Sequence, residues 1–313
     1  MIEARRIVAL TPNLAIDRTL TLDRGLEPGT LHRVRQVREA AGGKGVNLTR
    51  AVRALGGEGV VAGPVTGFNG RKFAALLQSE GLRGALTELP GDGETRQCTI
   101  VVDNGPYPTE INEPGPEVGL ETWASLLAGL PEGRRVVSGS LPPGSAKDAF
   151  VALLARAGGP FAVDTHGAAL VAAVRAGPEG GVDLVKPNRR ELVDAAEQLG
   201  LGADRDEPYA LAVAIQRRYG VRVLMSRGSE GALLVGAERW IARAPRVEVV
   251  NPVGSGDAML GAFLVAEESG SPPDRALALA VAAGADNARR GGGRLDPEAV
   301  RSMARSVPVE RLP

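Results

Sequence analysis

The feature that most constrains the fold is a regular alternation of short apolar runs with longer helical patterns, which begins near Arg134. The short runs, such as 161–163, have the length and composition of buried strands, and segments such as 168–175 carry apolar residues at helical spacing. Strands that alternate with helices form parallel sheets covered on both faces. The sequence therefore predicts an α/β fold of three layers, with helices on both sides of a mostly parallel central sheet. In this half of the chain, the predicted strands are 136–137, 161–163, 183–185, 221–226 and 247–250, and the predicted helices are 146–157, 168–175, 191–199, 258–268 and 274–289.

The N-terminal half differs, because two stretches alternate apolar and polar residues with period two. They cover about 17–40 and 95–112 and follow an apolar strand at 7–10. Such alternation is typical of a small antiparallel sheet with one covered face. Helices are predicted at 45–55 and 71–81, with a strand at 60–61 between them. We expect one domain over residues 1–313, in which the two excursions form a β-sheet lid on the α/β core.

The composition excludes several classes of function. The chain has 37 basic and 37 acidic residues, so no overall field attracts it to nucleic acid or to a membrane. One cysteine, Cys98, and two histidines give neither an intramolecular disulfide nor a standard zinc site. No apolar run approaches the roughly 20 residues of a membrane span. We expect a cytoplasmic protein that binds a small molecule, with no nucleic-acid or membrane partner.

The strongest chemical motif is Gly254-Ser255-Gly256-Asp257, which lies between an alternating segment and a continuous apolar helix. Glycines allow a tight turn with outward-facing N–H groups, and the helix N-terminus adds partial positive charge, so an anion can bind there. Asp257 lies in the first turn of that helix. From spacing alone, it is either an N-cap or a base beside a bound phosphate.

Two common nucleotide motifs are absent. Gly43-Lys44 is followed by Gly45 rather than Ser or Thr, so there is no Walker A loop. Position 259 is Met rather than a third glycine, so the dinucleotide fingerprint of an oxidoreductase is missing as well.

Five motifs, in order, resemble those of the PfkB (ribokinase-like) carbohydrate kinases. The resemblance covers nearly the whole chain. Within the family, the sequence is similar to the branch of 1-phosphofructokinase and tagatose-6-phosphate kinase. The motifs are Gly42-Gly43-Lys44-Gly45-Val46-Asn47, Thr95-Arg96, Ser138-Gly139-Ser140-Leu141-Pro142-Pro143-Gly144, Lys186-Pro187-Asn188-Arg189-Arg190-Glu191-Leu192 and Gly254-Ser255-Gly256-Asp257.

The resemblance implies roles for the residues that would act on ATP. Asp257 would be the catalytic base, and the amides of Gly254, Ser255 and Gly256 an anion hole. Asn188 and Glu191 would hold Mg²⁺ through water, although a turn residue and a first-turn carboxylate are equally natural there. The residues that would line the ATP site are Lys186, Asn188, Ser226, Gly228, Gly231 and, on the purine side, Asn287. Gly228 and Gly231 also fit a simple hairpin, and Asn287 also fits an exposed helix position.

The resemblance also implies a sugar-phosphate site. Asp17 would accept hydrogen bonds from two sugar hydroxyls, and Gly43 and Asn47 would approach the ring. Lys44, Arg96 and Ser140 would converge on the phosphate that the substrate already carries. Lysine is rare here, with four among the 37 basic residues, which favours a specific role for Lys44.

The implied reaction is ATP-dependent phosphorylation of a ketohexose phosphate, with fructose 1-phosphate to fructose 1,6-bisphosphate as the first expectation. Tagatose-6-phosphate kinase and then 6-phosphofructokinase are the alternatives, the last disfavoured because its branch typically has glycine at the position of Lys44. A non-catalytic sugar-phosphate sensor would not need Asp257, Asn188 and Glu191, which are all present.

Arg227 departs from the family pattern, and its role stays open between a phosphate contact and a solvent-facing side chain. Relatives that dimerise through the lid imply a homodimer.

Overall fold

The computed structural model describes residues 6–105, 108–145, 147–202 and 207–313, with the backbone alone at 147–149. Two sheets organise these residues, one of ten strands and one of four. From one edge to the other, the large sheet contains β14 (Val309–Arg311), β13 (Arg239–Ala242), β12 (Ala232–Val235), β11 (Arg222–Ser226), β10 (Val182–Val185), β9 (Phe161–Asp164), β8 (Arg134–Ser138), β1 (Ile7–Leu10), β4 (Gly59–Val65) and β5 (Arg83–Glu88).

The large sheet is mostly parallel. All pairs from β5 to β11 are parallel, whereas β11 to β14 form an antiparallel edge. The parallel core agrees with the predicted α/β class. The antiparallel edge formed by β12, β13 and β14 was not predicted from the sequence.

Consecutive residues of the central strands pack into opposite layers, as the pleat of a strand requires. In β1, Val8 and Leu10 belong to one core cluster, and Ile7 and Ala9 belong to the other. Both faces are therefore buried, which is why these strands are continuous apolar runs rather than alternating ones.

Helices cover both faces of this sheet. On the first face lie α3 (Leu120–Ala128), α4 (Lys147–Ala157), α5 (Gly167–Ala176), α6 (Arg189–Gln198) and α7 (Pro208–Tyr219). On the second lie α1 (Lys44–Ala54), α8 (Ser255–Glu268), α9 (Pro273–Ala288) and α10 (Pro297–Ser306). The predicted three-layer arrangement is confirmed.

The four-stranded sheet is formed by the two alternating stretches. Its order is β3 (Gln36–Gly42), β2 (Ala15–Thr21), β6 (Arg96–Val102) and β7 (Thr109–Asn112). The central pair, β2 and β6, is parallel, so the prediction of a purely antiparallel sheet is wrong. The two excursions leave the core at separate points and enter the sheet in the same direction. A third core cluster connects the sheet to α2 (Gly67–Ser79).

One predicted strand is absent, because residues 247–250 form an irregular segment. Val249 and Val250 are exposed, and the amide of Val250 donates to the carbonyl of Ala288 at the end of α9. The alternation of Val and Glu there reflects a segment that borders a cavity rather than a strand face. Positions 106–107 of the second lid stretch, and Ala146 at the start of a predicted helix, lie outside the described residues.

The motif residues gather at one edge of the large sheet. β8 ends at Ser138, β9 at Asp164, β10 just before Lys186 and β11 at Ser226. Ligands of open α/β sheets bind outside the carboxyl ends of the strands. Within the part of the chain described, no helix combines the length and apolar character that crossing a bilayer requires.

Candidate active site

Asp257 lies at the third position of α8, not at its N-cap. Gly254 is the N-cap and adopts a left-handed conformation with φ of 84°, which favours glycine. The N-cap interpretation of Asp257 is therefore wrong. Its side chain is 6% exposed, and Asn47 Nδ2 donates to Asp257 Oδ2 over 3.0 Å.

The free amides of the glycine turn are not the same three that the sequence predicts. The Ser255 N–H donates to the carbonyl of Pro252 over 3.1 Å, so it is used in the turn itself. Within the described residues, the N–H groups of Gly254, Gly256 and Asp257 have no protein acceptor. The predicted anion hole thus changes to these three amides, at the positive end of α8.

Two lysines and a second carboxylate surround Asp257. Asp164, at the end of β9, is fully buried. Its Oδ1 atom lies 3.3 Å from Lys44 Nζ and 3.4 Å from Lys186 Nζ, and Asp164 Oδ2 has no hydrogen-bond partner among the described residues. Burial opposes ionisation of Asp164, but the two ammonium groups outweigh it and lower its pKa. The charge of Asp164 in turn raises the pKa of Lys44 well above the ordinary value.

Burial raises the pKa of Asp257 from 3.8 to about 6, and the charge of Asp164 adds to the effect. Lys44, the hydrogen bond from Asn47 and Lys186 act in the opposite direction. A carboxyl with this pKa is ionised at neutral pH and accepts a proton more readily than an ordinary aspartate.

Asp17 faces the same region from the small sheet. Its carboxylate packs over Gly42, where a Cβ atom would lie 2.1 Å from Asp17 Oδ1. Burial raises the pKa of Asp17 to about 6, whereas Arg50 and Arg96 lower it and the charge of Asp257 raises it. Gly43 is the N-cap of α1, and its carbonyl accepts from the amide of Asn47.

Arg96 and Ser140 line one cavity of about 670 Å³. The Arg96 guanidinium donates twice to the carbonyl of Asn13 and once to that of Glu113, at 3.0–3.3 Å. Lys44 does not line this cavity, because its ammonium is bound to Asp164. The structure therefore brings together two of the three residues predicted to meet at a phosphate.

A larger cavity of about 790 Å³ borders the glycine turn. Its apolar walls include Met259, Val281 and Ala285, and its volume suits a nucleotide-sized ligand. The residues predicted to bind ATP that line it are Asn188, Ser226, Gly228 and Gly231, together with Ser255 and Gly256 of the glycine turn.

Several residues at or near this cavity also have contacts within the protein. Lys186 does not line the cavity but is buried close to it, since a Cβ atom at the lining residue Gly256 would lie 3.2 Å from its Nζ. Gly228 and Gly231 also form the connection between the antiparallel strands β11 and β12, as the hairpin interpretation requires. Arg227 lines the cavity and forms an ion pair with Glu230.

Asn287 does not contact the cavity, so the predicted purine contact is corrected. The side chain is fully buried. Its Nδ2 atom donates to the Val253 carbonyl and Ser255 Oγ, and its Oδ1 atom accepts from the Gly293 amide over 2.7 Å. All three bonds stabilise the loops around the glycine turn.

Asn188 and Glu191 form a capping box at the start of α6. Asn188 Oδ1 accepts from the Glu191 amide, and Glu191 Oε2 accepts from the Asn188 amide. The first-turn carboxylate interpretation of Glu191 is thus confirmed, whereas Asn188 is the N-cap of α6 rather than a turn residue. Glu191 Oε1 accepts no hydrogen bond within the described residues and lies close enough to raise the pKa of Lys44.

Two important residues were absent from the sequence analysis. Asp164 was detectable, because a carboxylate that ends an apolar strand lies at the ligand-binding edge. Arg50 was not, because an arginine within a helical pattern is indistinguishable from a solvated charge.

The fold and this site define a sugar kinase, and the chain belongs to the pfkB family of carbohydrate kinases, which residues 11–299 match. It is 36% identical to 1-phosphofructokinase of Xanthomonas campestris pv. campestris, over 98% of each chain. It is 32% identical to 1-phosphofructokinase of Escherichia coli K12, over 96% of this chain and 97% of the relative.

Solved structures agree with this assignment. Phosphofructokinase-2 from Escherichia coli in complex with fructose-6-phosphate superposes with a TM-score of 0.85 at 27% identity, covering 96% of this chain and 99% of that one. Ribokinase from Thermotoga maritima shares the fold, with a TM-score of 0.75 at 19% identity and coverage of 96% and 99%.

The raised pKa of Asp257 predicts a specific dependence of stability on pH. The unfolded chain loses this proton near 3.8 and the folded chain near 6, so the native state loses stability as pH rises between them. Asp257→Asn has no group to ionise at this position, so it does not lose this stability as the pH rises. We expect its free energy of unfolding, relative to wild type, to increase from pH 4 to pH 6.5 and then stay constant to pH 8. Urea unfolding across this range measures it, and a difference independent of pH would contradict a raised pKa.

Proposed function

We propose that this kinase transfers a phosphoryl group from ATP to a hydroxyl of a ketohexose phosphate, with Asp257 as the base. The observation that carries the proposal is the position of Asp257. It is buried in the first turn of α8, where Ser255 and Gly256 line the larger cavity. It accepts a hydrogen bond from Asn47, and its charge acts on the pKa of Asp17.

In the proposed mechanism, Asp257 accepts the proton of the attacking hydroxyl. The free amides of Gly254, Gly256 and Asp257 stabilise negative charge on the transferring group. Lys186, buried beside Gly256, places a positive charge next to these amides. Asp17 orients the sugar by accepting hydrogen bonds from its hydroxyls.

The residues present fit ATP and Mg²⁺. The larger cavity has apolar walls, against which the adenine ring of ATP would stack. It ends at the N-terminus of α8, where phosphates bind favourably. Among the residues described, no three His, Cys, Asp or Glu side chains group to hold a metal. Mg²⁺ commonly keeps several waters and uses one or two carboxylates with substrate phosphates. We propose that Glu191, through Oε1, and Asn188 hold it through water, where it would neutralise phosphate charge.

We propose that Arg96 and Ser140 bind the phosphate already on the substrate. The guanidinium is anchored by two carbonyls and borders an open cavity. Lys44 does not line this cavity, but its side chain is 37% exposed, and we propose that it adds positive charge near the phosphate site. The relatives named 1-phosphofructokinase support fructose 1-phosphate as the substrate, with fructose 1,6-bisphosphate as product.

A substrate panel tests this function. ADP release with ATP and Mg²⁺ is measured with fructose 1-phosphate, tagatose 6-phosphate, fructose 6-phosphate and fructose at matched concentrations. We expect the largest kcat/KM for fructose 1-phosphate. Arg96→Met removes the phosphate contact and is expected to reduce this value by about 10²-fold, while activity on unphosphorylated fructose changes little.

The matched control is Arg18→Met on the neighbouring strand β2, since Arg18 is exposed and pairs loosely with Glu39 at 3.9 Å. Equal losses in both variants would contradict the assignment of Arg96. The absence of ADP release with every sugar would contradict the proposed function and favour a sensor.

We further propose that the chain is one kinase domain whose small sheet is a lid and a dimerisation surface. Both edge strands of this sheet carry exposed apolar residues, Val37 at 45% and Ile111 at 60%, and Leu31 in the β2–β3 connection is 74% exposed. Exposed apolar edges commonly pair with another subunit. A tetrameric inhibited form is known for the similar phosphofructokinase-2 from Escherichia coli, at 26% identity and a TM-score of 0.84.

Light scattering tests the dimer. We expect a mass about twice 32.4 kDa for the wild type. Ile111→Asp, which places a charge on the edge, is expected to shift the mass toward the monomer. A monomeric wild type would contradict the proposal.

A further inference from the structure

Arg50 uses all of its hydrogen-bonding capacity inside the protein. It lies one helical turn after Asn47 in α1, and its side chain is 10% exposed. A guanidinium has five N–H donors, and each of them has an acceptor here. The bonds run from Nε to Glu80 Oε2 at 2.7 Å, from Nη2 to Glu80 Oε1 and the Ala41 carbonyl at 2.7 Å, and from Nη1 to Asn47 Oδ1 at 2.8 Å and the Gly292 carbonyl at 3.3 Å.

The bond from Arg50 determines the orientation of the Asn47 amide. Because a guanidinium only donates, the atom of Asn47 that faces Arg50 must be the oxygen. The NH₂ group then faces Asp257, whose ionised carboxylate only accepts. With the amide reversed, oxygen would face carboxylate and nitrogen would face guanidinium, so two bonds would become two repulsive contacts.

We propose that Arg50 is a positioning residue for the catalytic base: by fixing the Asn47 amide, it holds the Asp257 carboxylate in one place and in its ionised form. This inference rests on the proposed function, since it assigns a purpose to contacts around the base. Arg50 acts through Asn47 and does not itself contact Asp257.

The anchor of Arg50 is rigid. Its two-bond ion pair with Glu80, at the C-terminal end of α2, is the strong geometry for a guanidinium and a carboxylate. The carbonyl of Ala41 belongs to β3 of the small sheet, and that of Gly292 to the loop after α9. Arg50 therefore connects the small sheet, α2 and this loop to the base.

Among the described residues, four charged groups surround Asp257, and Arg50 lowers the pKa of one of them, Asp17. They are Asp17 from β2, Lys44 from α1, Asp164 from β9 and Lys186 after β10. Around Arg50 itself, the charged neighbours are Asp17, Glu80 and Arg294. A change in the titration of the base in Arg50→Met therefore combines loss of the bond to the Asn47 amide with loss of the Arg50 charge near Asp17. Glu80→Gln keeps the Arg50 charge, so a change in that variant reports on the amide.

The test is the pH dependence of kcat between pH 5 and 9 for Arg50→Met, measured with saturating sugar phosphate and ATP. Loss of the hydrogen bond that Asn47 donates favours the protonated form of Asp257. The acidic limb of the kcat–pH profile is therefore expected to shift to higher pH by about one unit. At pH 6 kcat would then fall about fivefold, and at pH 8 by less than about twofold. The KM for ATP is expected to stay within about twofold, because Arg50 lies away from the nucleotide cavity.

Two further variants keep the test decisive. Glu80→Gln weakens the anchor without removing Arg50, and it should move the acidic limb in the same direction even if Arg50→Met does not fold. Arg53→Met is the matched control, since Arg53 lies on the same helix and also bonds Glu80, but through its backbone carbonyl and without contact to Asn47. Its limb is expected to stay in place.

The outcomes separate the two proposals. An acidic limb that moves in Arg50→Met and Glu80→Gln but not in Arg53→Met supports the positioning role. An active wild type whose limb is unmoved in both variants, or moves equally in Arg53→Met, overturns the positioning role and leaves the proposed function standing. A wild type that releases no ADP with any sugar of the panel overturns both.

Discussion

The structure depends on keeping a buried carboxylate ionised. Asp257 lies almost without solvent contact beside a second buried carboxylate, Asp164, and an unpaired buried charge costs several kcal/mol. Two ammonium groups, Lys44 and Lys186, balance the two carboxylates, and the Asn47 amide donates directly to the base. The balance is incomplete, so the pKa of Asp257 stays near 6 rather than at its ordinary value, which makes it a usable base at neutral pH.

This charge cluster exists because of the topology. Parallel strands end at one edge of the sheet, so residues that are far apart in sequence meet there. Asp164 ends β9, Lys186 follows β10, and Lys44 begins α1. The glycine turn before α8 then places Asp257 and three free amides at the border of the larger of two cavities. One cavity suits a nucleotide, and the other lies beside Arg96.

Much of this was predictable from the sequence, because apolar periodicity and the glycine motif are local signals. The α/β class, the two excursions and the helix that begins beside Asp257 followed from them. Strand pairing at the antiparallel edge was not predictable, since β14 pairs with a strand nearly 70 residues earlier in the sequence. The misreading of 247–250 shows that alternation alone does not distinguish a strand from a segment bordering a cavity. Tertiary contacts, rather than the local sequence, determine three further features. They are the use of the Ser255 amide, the burial of Asn287 and the pairing of Lys44 with Asp164. Arg50 is the clearest case, because nothing in its helix distinguishes a fully bonded guanidinium from a solvated one.

The central claim is that Asp257 takes the proton in the chemical step. The most direct test is turnover of Asp257→Asn with fructose 1-phosphate and ATP, alongside calorimetric binding of ADP and the sugar phosphate. The substitution preserves shape and removes the base, so kcat is expected to fall by about 10²-fold or more while both affinities stay within about threefold. Turnover close to that of the wild type, with the same affinities, would show that another group accepts the proton.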